Sequence, residues 1–283
     1  MSKRLRLWCL GALVGCTAGA AQAAPDWTAG FSSCSDYGDN ASTVSCTAGV
    51  SPIQVTAIGT NSYATGSDFA LRDVNYYSGG GLGVDPLGSS EGSPEHAIDN
   101  KGWVDAVVVR FDQSVILNQV TLGWRRYDWD FSIFAYTGGG NPESSMFFDT
   151  SNNRSTLYLN TTLGGSWQLV STYAASAGCD SGCSDDLIID GLNSANVSST
   201  WWVISAYSNA YGTGSKVGSG SLDAPVDGKD SGKDYFKLLS VAGKNYSPPP
   251  PPPPSVPEPA SLALVSVALL GAWGSRRRFK AKR

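Results

Sequence analysis

Asp105-Ala106-Val107-Val108-Val109-Arg110-Phe111 and, beyond three polar residues, Val115-Ile116-Leu117-Asn118-Gln119-Val120-Thr121-Leu122-Gly123-Trp124 decide how this chain folds. Both runs are rich in β-branched and aromatic side chains and keep no helical period. In the second, Val120, Leu122 and Trp124 fall on one face of an extended strand, which marks that face as the core side. The same texture recurs at Ile53 to Ile58, Asp130 to Tyr136, Thr156 to Asn160, Trp167 to Tyr173, Thr200 to Tyr207 and Tyr235 to Val241. Gly, Asn, Asp and Ser clusters separate these runs. Short strands between turn signals read as an all-β domain, here a single β-sandwich over residues 24–246.

Composition agrees. Of 283 residues, 33 are Gly and 15 Pro, and only 16% are charged, a mixture that favours turns over long amphipathic helices. Nine Trp and twelve Tyr supply enough aromatic surface for a sizeable core. Asp dominates the acidic residues, and it prefers turns and loop ends where Glu would prefer helix. The net charge of −4 conceals a segregation: nine of the 20 basic residues sit in the first six and last eight positions, leaving eleven against all 24 acids between. A domain this acidic lacks the cations that displace counterions from phosphates, which excludes nucleic acid as a partner. One helical turn is expected at Ser93 to Asn100, with Ser93 as N-cap and Pro94 in the first helical position.

The two ends read as addresses. Lys3, Arg4 and Arg6 precede the apolar run Leu7 to Val14 and the small residues ending Ala21-Gln22-Ala23, the three-part pattern of a secretory signal helix cleaved after Ala23. A rival reading takes Leu13-Val14-Gly15-Cys16 as a lipobox with Cys16 lipidated. At the other end, Pro248 to Pro254 is an unbroken run of seven prolines, a polyproline linker (residues 247–255) of roughly 22 Å at ~3.1 Å per residue. Ala260 to Trp273 is then mostly apolar and short for a membrane span, at about 21 Å against a ~30 Å hydrocarbon core. Arg276, Arg277 and Arg278 open a basic tail that stops transfer and sets the acidic domain outside.

Between linker and apolar run stands Val256-Pro257-Glu258-Pro259-Ala260-Ser261. This motif, the short membrane helix and the Arg-rich end together resemble the PEP-CTERM sorting signal of exosortase substrates, over residues 256–283. The resemblance implies passage through the secretion machinery and signal peptidase, transient anchoring in the inner membrane of a Gram-negative bacterium, and cleavage near Val256, Pro257, Glu258 and Pro259 by an exosortase. It further implies residence at the cell surface or in the exopolysaccharide matrix of a biofilm. The block Ser93 to Trp124 is similar to exosortase-dependent surface proteins and to the opening of galactose-binding-like jelly rolls, which would make the sandwich jelly-roll-like.

Four cysteines remain after signal cleavage: Cys34, Cys46, Cys179 and Cys183. In an oxidising compartment they form two disulfides, with three connectivities open and the pairs closing the shortest loops the simplest. The sole histidine, His96, excludes multi-His metal centres and reads as a partly exposed residue of the helical turn. Gly79 to Gly83 lacks the Lys and Ser or Thr of a phosphate loop and reads as a flexible loop. Trp124, Arg125, Tyr127, Asp128, Trp129 and Asp130 gather aromatics, acids and a guanidinium into one strand connection, a candidate ligand surface. Asp227, Asp230 and Asp234 lie on a Gly-rich stretch and are calcium candidates; no other cofactor is expected. The expected function is that of a non-enzymatic exported surface or matrix protein. The alternatives are a carbohydrate-binding module or adhesin engaging exopolysaccharide, and a polysaccharide-cleaving enzyme built on two facing carboxylates.

Overall fold

A computed structural model describes residues 24–37, 41–48, 51–60, 69–86, 96–101, 104–139, 154–155, 166–175, 179–208, 211, 214–222, 234–248 and 261–280. The chain divides into two units, residues 1–246 and 247–283. In the first, the described strands are β1 (Trp27–Gly30), β2 (Cys34–Ser35), β3 (Thr43–Ala48), β4 (Ser51–Thr60), β5 (Phe69–Tyr77), β6 (Gly81–Pro86), β7 (Ile98–Asp99) and β8 (Asp105–Tyr127). They continue as β9 (Phe131–Tyr136), β10 (Arg154–Ser155), β11 (Trp167–Ala174), β12 (Cys179–Cys183), β13 (Leu187–Asp190), β14 (Ser199–Ala206), β15 (Ser215–Gly218) and β16 (Asp234–Asn245). The second unit contributes one helix, α1 (Ser261–Lys280).

The domain is all-β, as its strand texture predicts, but its hydrogen bonding does not separate into the two sheets of a sandwich. One network joins the strands, and within it β8, β16, β6, β5 and β4 close a five-strand ring. The cause lies in β8. Asp112-Gln113-Ser114, polar enough to read as a turn between two strands, stays extended, so the two quoted runs form one strand of 23 residues. Its first half pairs with β4 on one edge and β14 on the other; its second half pairs with β16. Beyond β14 the sheet continues through β9 and β11 to β15, whose pairing with β11 is parallel.

Ala106 to Val109 is buried at every position and so on both faces, and Val120 and Leu122 are buried as the alternation requires. Trp202, Phe131, Phe134, Phe236 and Leu238 are fully buried around them, with Phe131 stacked on Tyr173 at 5.2 Å between centroids.

Two local expectations change. Residues 93–95 lie outside the described part, but Ile98 and Asp99 are extended rather than helical, because Ile98 is buried and the pair hydrogen-bonds alongside Tyr235 and Phe236. The Gly79 to Gly83 segment is no loose loop: after a turn, Gly81 to Pro86 forms a buried strand. A Cβ on Gly83 would lie 2.4 Å from the His96 carbonyl oxygen, so glycine here permits close backbone approach. Residues 156–160, the signal segment with Cys16, the proline run beyond Pro248 and the 256–259 motif lie outside the described residues.

Both disulfides form on the shortest loops. Cys34–Cys46 joins residues directly opposite on β2 and β3, and Cys179–Cys183 closes across a register shift against the end of β8. Helix α1 exposes Leu264, Val265, Val267, Leu269, Leu270 and Trp273. No helix among the described residues is long and apolar enough to cross a membrane, which corrects the expected transmembrane helix. The reason is in the sequence: the last turns of α1 hold Arg276, Arg277, Arg278 and Lys280 in place of apolar residues.

Candidate functional site

The end of β8, the start of β9 and the start of β16 meet at one place. Tyr127, the last residue of β8, takes a left-handed backbone (φ 57°) and pairs with both Cys179 and Asp234. The chain reverses there, which brings Asp128 alongside Asp234. Around this corner each aromatic of the candidate ligand surface is covered by a cation. The guanidinium of Arg125 lies 5.2 Å over Trp129, that of Arg126 lies 4.7 Å over Tyr127, and the Lys237 ammonium lies 5.4 Å over Trp124 and 3.4 Å over Tyr77. Trp129 is buried, and Trp124 and Tyr127 are half-buried.

A Cβ on Gly182 would sit 3.2 Å from the Trp124 indole nitrogen, so the short disulfide loop rests against this ring as well. Arg125 turns back to the same loop, donating to the Asp185 carbonyl at 2.6 Å and to both of its carboxylate oxygens at 3.1 Å. This guanidinium holds the Asp185 carboxyl below its usual range. The six residues picked out as a ligand surface are therefore brought together, with their ring faces engaged by neighbouring cations.

The acidic residues form a second constellation. Asp128, Asp130 and Asp234 place one carboxylate oxygen each within 4.8 Å of the others, and Asp130 and Asp234 are fully buried. Such an all-oxygen donor set has the chemistry of a hard cation such as calcium. The same oxygens also take protein donors. Asp234 accepts from the Asn100 side chain at 2.6 Å and from the Asp130 backbone N–H at 2.7 Å, and Asp130 accepts from the Ala175 N–H at 2.6 Å. Asn100 in turn accepts from the Asp234 N–H and donates to the Tyr207 carbonyl. Burial, with these carboxylates nearby, raises the Tyr207 and Tyr173 hydroxyls above the ordinary tyrosine range. The sequence grouped Asp234 with Asp227 and Asp230, which lie outside the described residues; the fold groups it with Asp128 and Asp130. Asn100 was missed as a member, since no local pattern links it to residues more than a hundred positions away.

A third cluster surrounds the single histidine. His96 is part-exposed as expected, but its Nδ1 lies 2.7 Å from Asp85, a buried carboxylate that also accepts from Asn75 and from the Tyr77 hydroxyl, each at 2.9 Å. Burial, then the bond to Asp85, raises the Tyr77 hydroxyl. Lys237 is pulled down to about 8 by burial, against the opposing pull of Asp85.

A lysine whose folded pKa lies below its unfolded value of ~10.4 binds fewer protons in the native state, so stability rises with pH between those two values. The urea midpoint is therefore expected to climb between pH 8 and pH 10. Lys237→Met, which keeps an apolar stem against Trp124, should flatten that climb. Above about pH 10 the half-buried hydroxyls of Tyr37 and Tyr77 and the buried one of Tyr211, all raised by burial, reverse the trend. A midpoint that falls steadily from pH 8 upward would contradict this account of Lys237.

The remaining site lies in the second unit. Residues 255–278 match the PEP-CTERM protein-sorting motif. The chain thus carries the sorting signal that its tail resembles, and with it the mark of an exported protein directed to the cell surface through an exosortase. A search of the curated proteins finds no match to the chain.

Proposed function

We propose that this is a non-enzymatic surface or matrix protein: a disulfide-bonded β-domain delivered by a signal peptide cleaved after Ala23, then sorted and cut near Pro257-Glu258-Pro259. The single observation that carries the reading is the sorting motif at residues 255–278. The two disulfides support an oxidising compartment outside the cytoplasm. In the sorting step, the exposed apolar side chains of α1 hold the tail against the membrane, and the basic residues that follow add attraction to its headgroups. The prolines flanking Glu258 keep the scissile region out of helix, as a protease needs its substrate extended.

The test is intact mass and C-terminal peptide mapping of the protein from the native envelope and medium. The expected product has lost residues 1–23 and everything beyond the Pro257 to Pro259 region. Replacing Pro257, Glu258 and Pro259 together by alanine should reduce the cut product at least tenfold and leave the ectodomain's thermal unfolding unchanged. A native protein that still ends at Arg283 and stays with the membrane fraction would overturn the reading.

A further inference from the structure

The ends of the β-domain lie side by side. β1 pairs antiparallel with the C-terminal half of β16, Trp27 opposite Gly243 and Gly30 opposite Ser240. The Asp26 N–H donates to the Gly243 carbonyl at 2.8 Å, and the Asn245 N–H donates to the Asp26 carboxylate at 3.1 Å. β16 is also the strand that closes the ring, pairing with β8 along most of its length and with β6, β7 and β1 besides. A chain exported from its N-terminus delivers this strand last. The domain cannot finish folding until residue 245 is outside, and when it does, both flanking segments leave from neighbouring positions.

Those segments differ in length. Three residues, Ala24 to Asp26, separate Ala23 from β1, a reach of about 10 Å. Eleven, Tyr246 to Val256, separate β16 from Pro257, a reach of up to roughly 36 Å. A folded body of about 220 residues has a radius of gyration of roughly 17 Å. A protease buried in a membrane could not reach a bond held 10 Å from such a body, but it could reach one 36 Å away. We infer that the two spacers encode an order of processing: the N-terminal cut must precede folding, and the sorting cut is made on a chain whose β-domain has already closed, with the seven prolines providing the clearance.

This inference rests on the sorting reading above, and the experiment separates the two. The full-length chain is produced in cells that hold the exosortase, pulse-labelled, and scored for the sorting cut, with folding read from protease resistance. Deleting Pro248 to Pro254 leaves four residues of spacer, about 14 Å. Cleavage should fall at least tenfold in a domain that remains protease-resistant. Placing fourteen Gly and Ser residues in the gap should restore it. Combining the deletion with Leu238→Asp and Val241→Asp, which break β16 and keep the domain open, should restore it to at least half the rate of the intact chain. A deletion chain cut at the normal rate would overturn the inference, because folding would then not precede cutting. A deletion chain left uncut in both the folded and the broken backgrounds would overturn it too, since the prolines would then be read directly by the protease. If the chain with its spacer intact is not cut at the motif, the sorting reading itself falls.

Discussion

Asp234→Ala is expected to lower the stability of the β-domain by about 3 kcal/mol, and Asp234→Asn, which keeps one of the two acceptors, by about half as much. The alanine variant removes an acceptor that is fully buried and takes hydrogen bonds from the Asn100 side chain and the Asp130 backbone. Hydrogen bonds to a charged group contribute about 1.5–3 kcal/mol each, and a buried donor left without its acceptor also loses its hydration. Against that loss stands relief of repulsion, because Asp128 and Asp130 hold carboxylate oxygens within 4.8 Å. The two effects oppose each other, which keeps the estimate near the bottom of the summed range. Asparagine shares in the relief but keeps one acceptor where Asp234 uses both oxygens, one for the Asn100 side chain and one for the Asp130 N–H, so its NH2 group meets one of those donors. At roughly 2–4 °C per kcal/mol for a domain of this size, the alanine variant should melt about 6–12 °C lower. Urea unfolding followed by tryptophan fluorescence measures both. If asparagine is as stable as aspartate, the second acceptor contributes nothing at this corner and the account from two hydrogen bonds fails.

The strands with strong alternation were legible in the sequence. Ile53 to Ile58, Trp167 to Tyr173 and Thr200 to Tyr207 fall within or nearly coincide with β4, β11 and β14. What the residues did not disclose were strands whose partners, more than their own composition, hold them extended. Phe69 to Tyr77 carries Arg72 and Asp73 in its middle, and two of the first three residues of β6 are glycine, yet the two pair along six positions as part of the ring. The same limit explains β8. Asp112, Gln113 and Ser114 look like punctuation when read locally, but flanking pairs hold the backbone straight through them. Closure of the ring was invisible for a related reason: it depends on which edges meet, and Leu238 opposite Leu82 gives no signal in either segment alone.

At the candidate site the residues picked out in the sequence lie together, but in company that the sequence did not indicate. Trp124, Tyr127 and Trp129 do gather at a strand corner, but the cations that cover them come partly from residue 237, over a hundred positions away. The calcium candidates were grouped by neighbourhood along the chain, whereas chain reversal at Tyr127 groups Asp234 with Asp128 and Asp130. The cysteine pairing was legible because both loops are short, and the sorting signal because its parts are contiguous. Features encoded in one stretch of chain survive reading one stretch at a time, and features made by pairing distant stretches do not.

A chain ending at Lys233 is expected not to fold at all, whereas one ending at Ser247 should unfold with the same midpoint as the full ectodomain. β16 buries Tyr235, Phe236, Leu238 and Val241 at 1% exposure or less. Burying a large apolar side chain contributes about 1.5–3 kcal/mol, so these four together supply roughly 6–12 kcal/mol, against a total stability of about 5–15 for an ordinary domain. The loss is greater than that sum, because removing β16 also opens the edges of β8 and β6 and leaves β1 without the strand it pairs with. Phe131 loses the ring of Phe236 that packs on it at 5.6 Å, and Asp234, the hub of the buried carboxylate corner, goes as well. The chain ending at Lys233 should therefore show no cooperative urea transition and collapsed amide dispersion by NMR. A sharp transition in it would mean that β8, β4 and β14 form a folding unit of their own. The ring would then be completed by β16 and not created by it, and a domain still half inside the cell could already be folded when the sorting motif reaches the membrane.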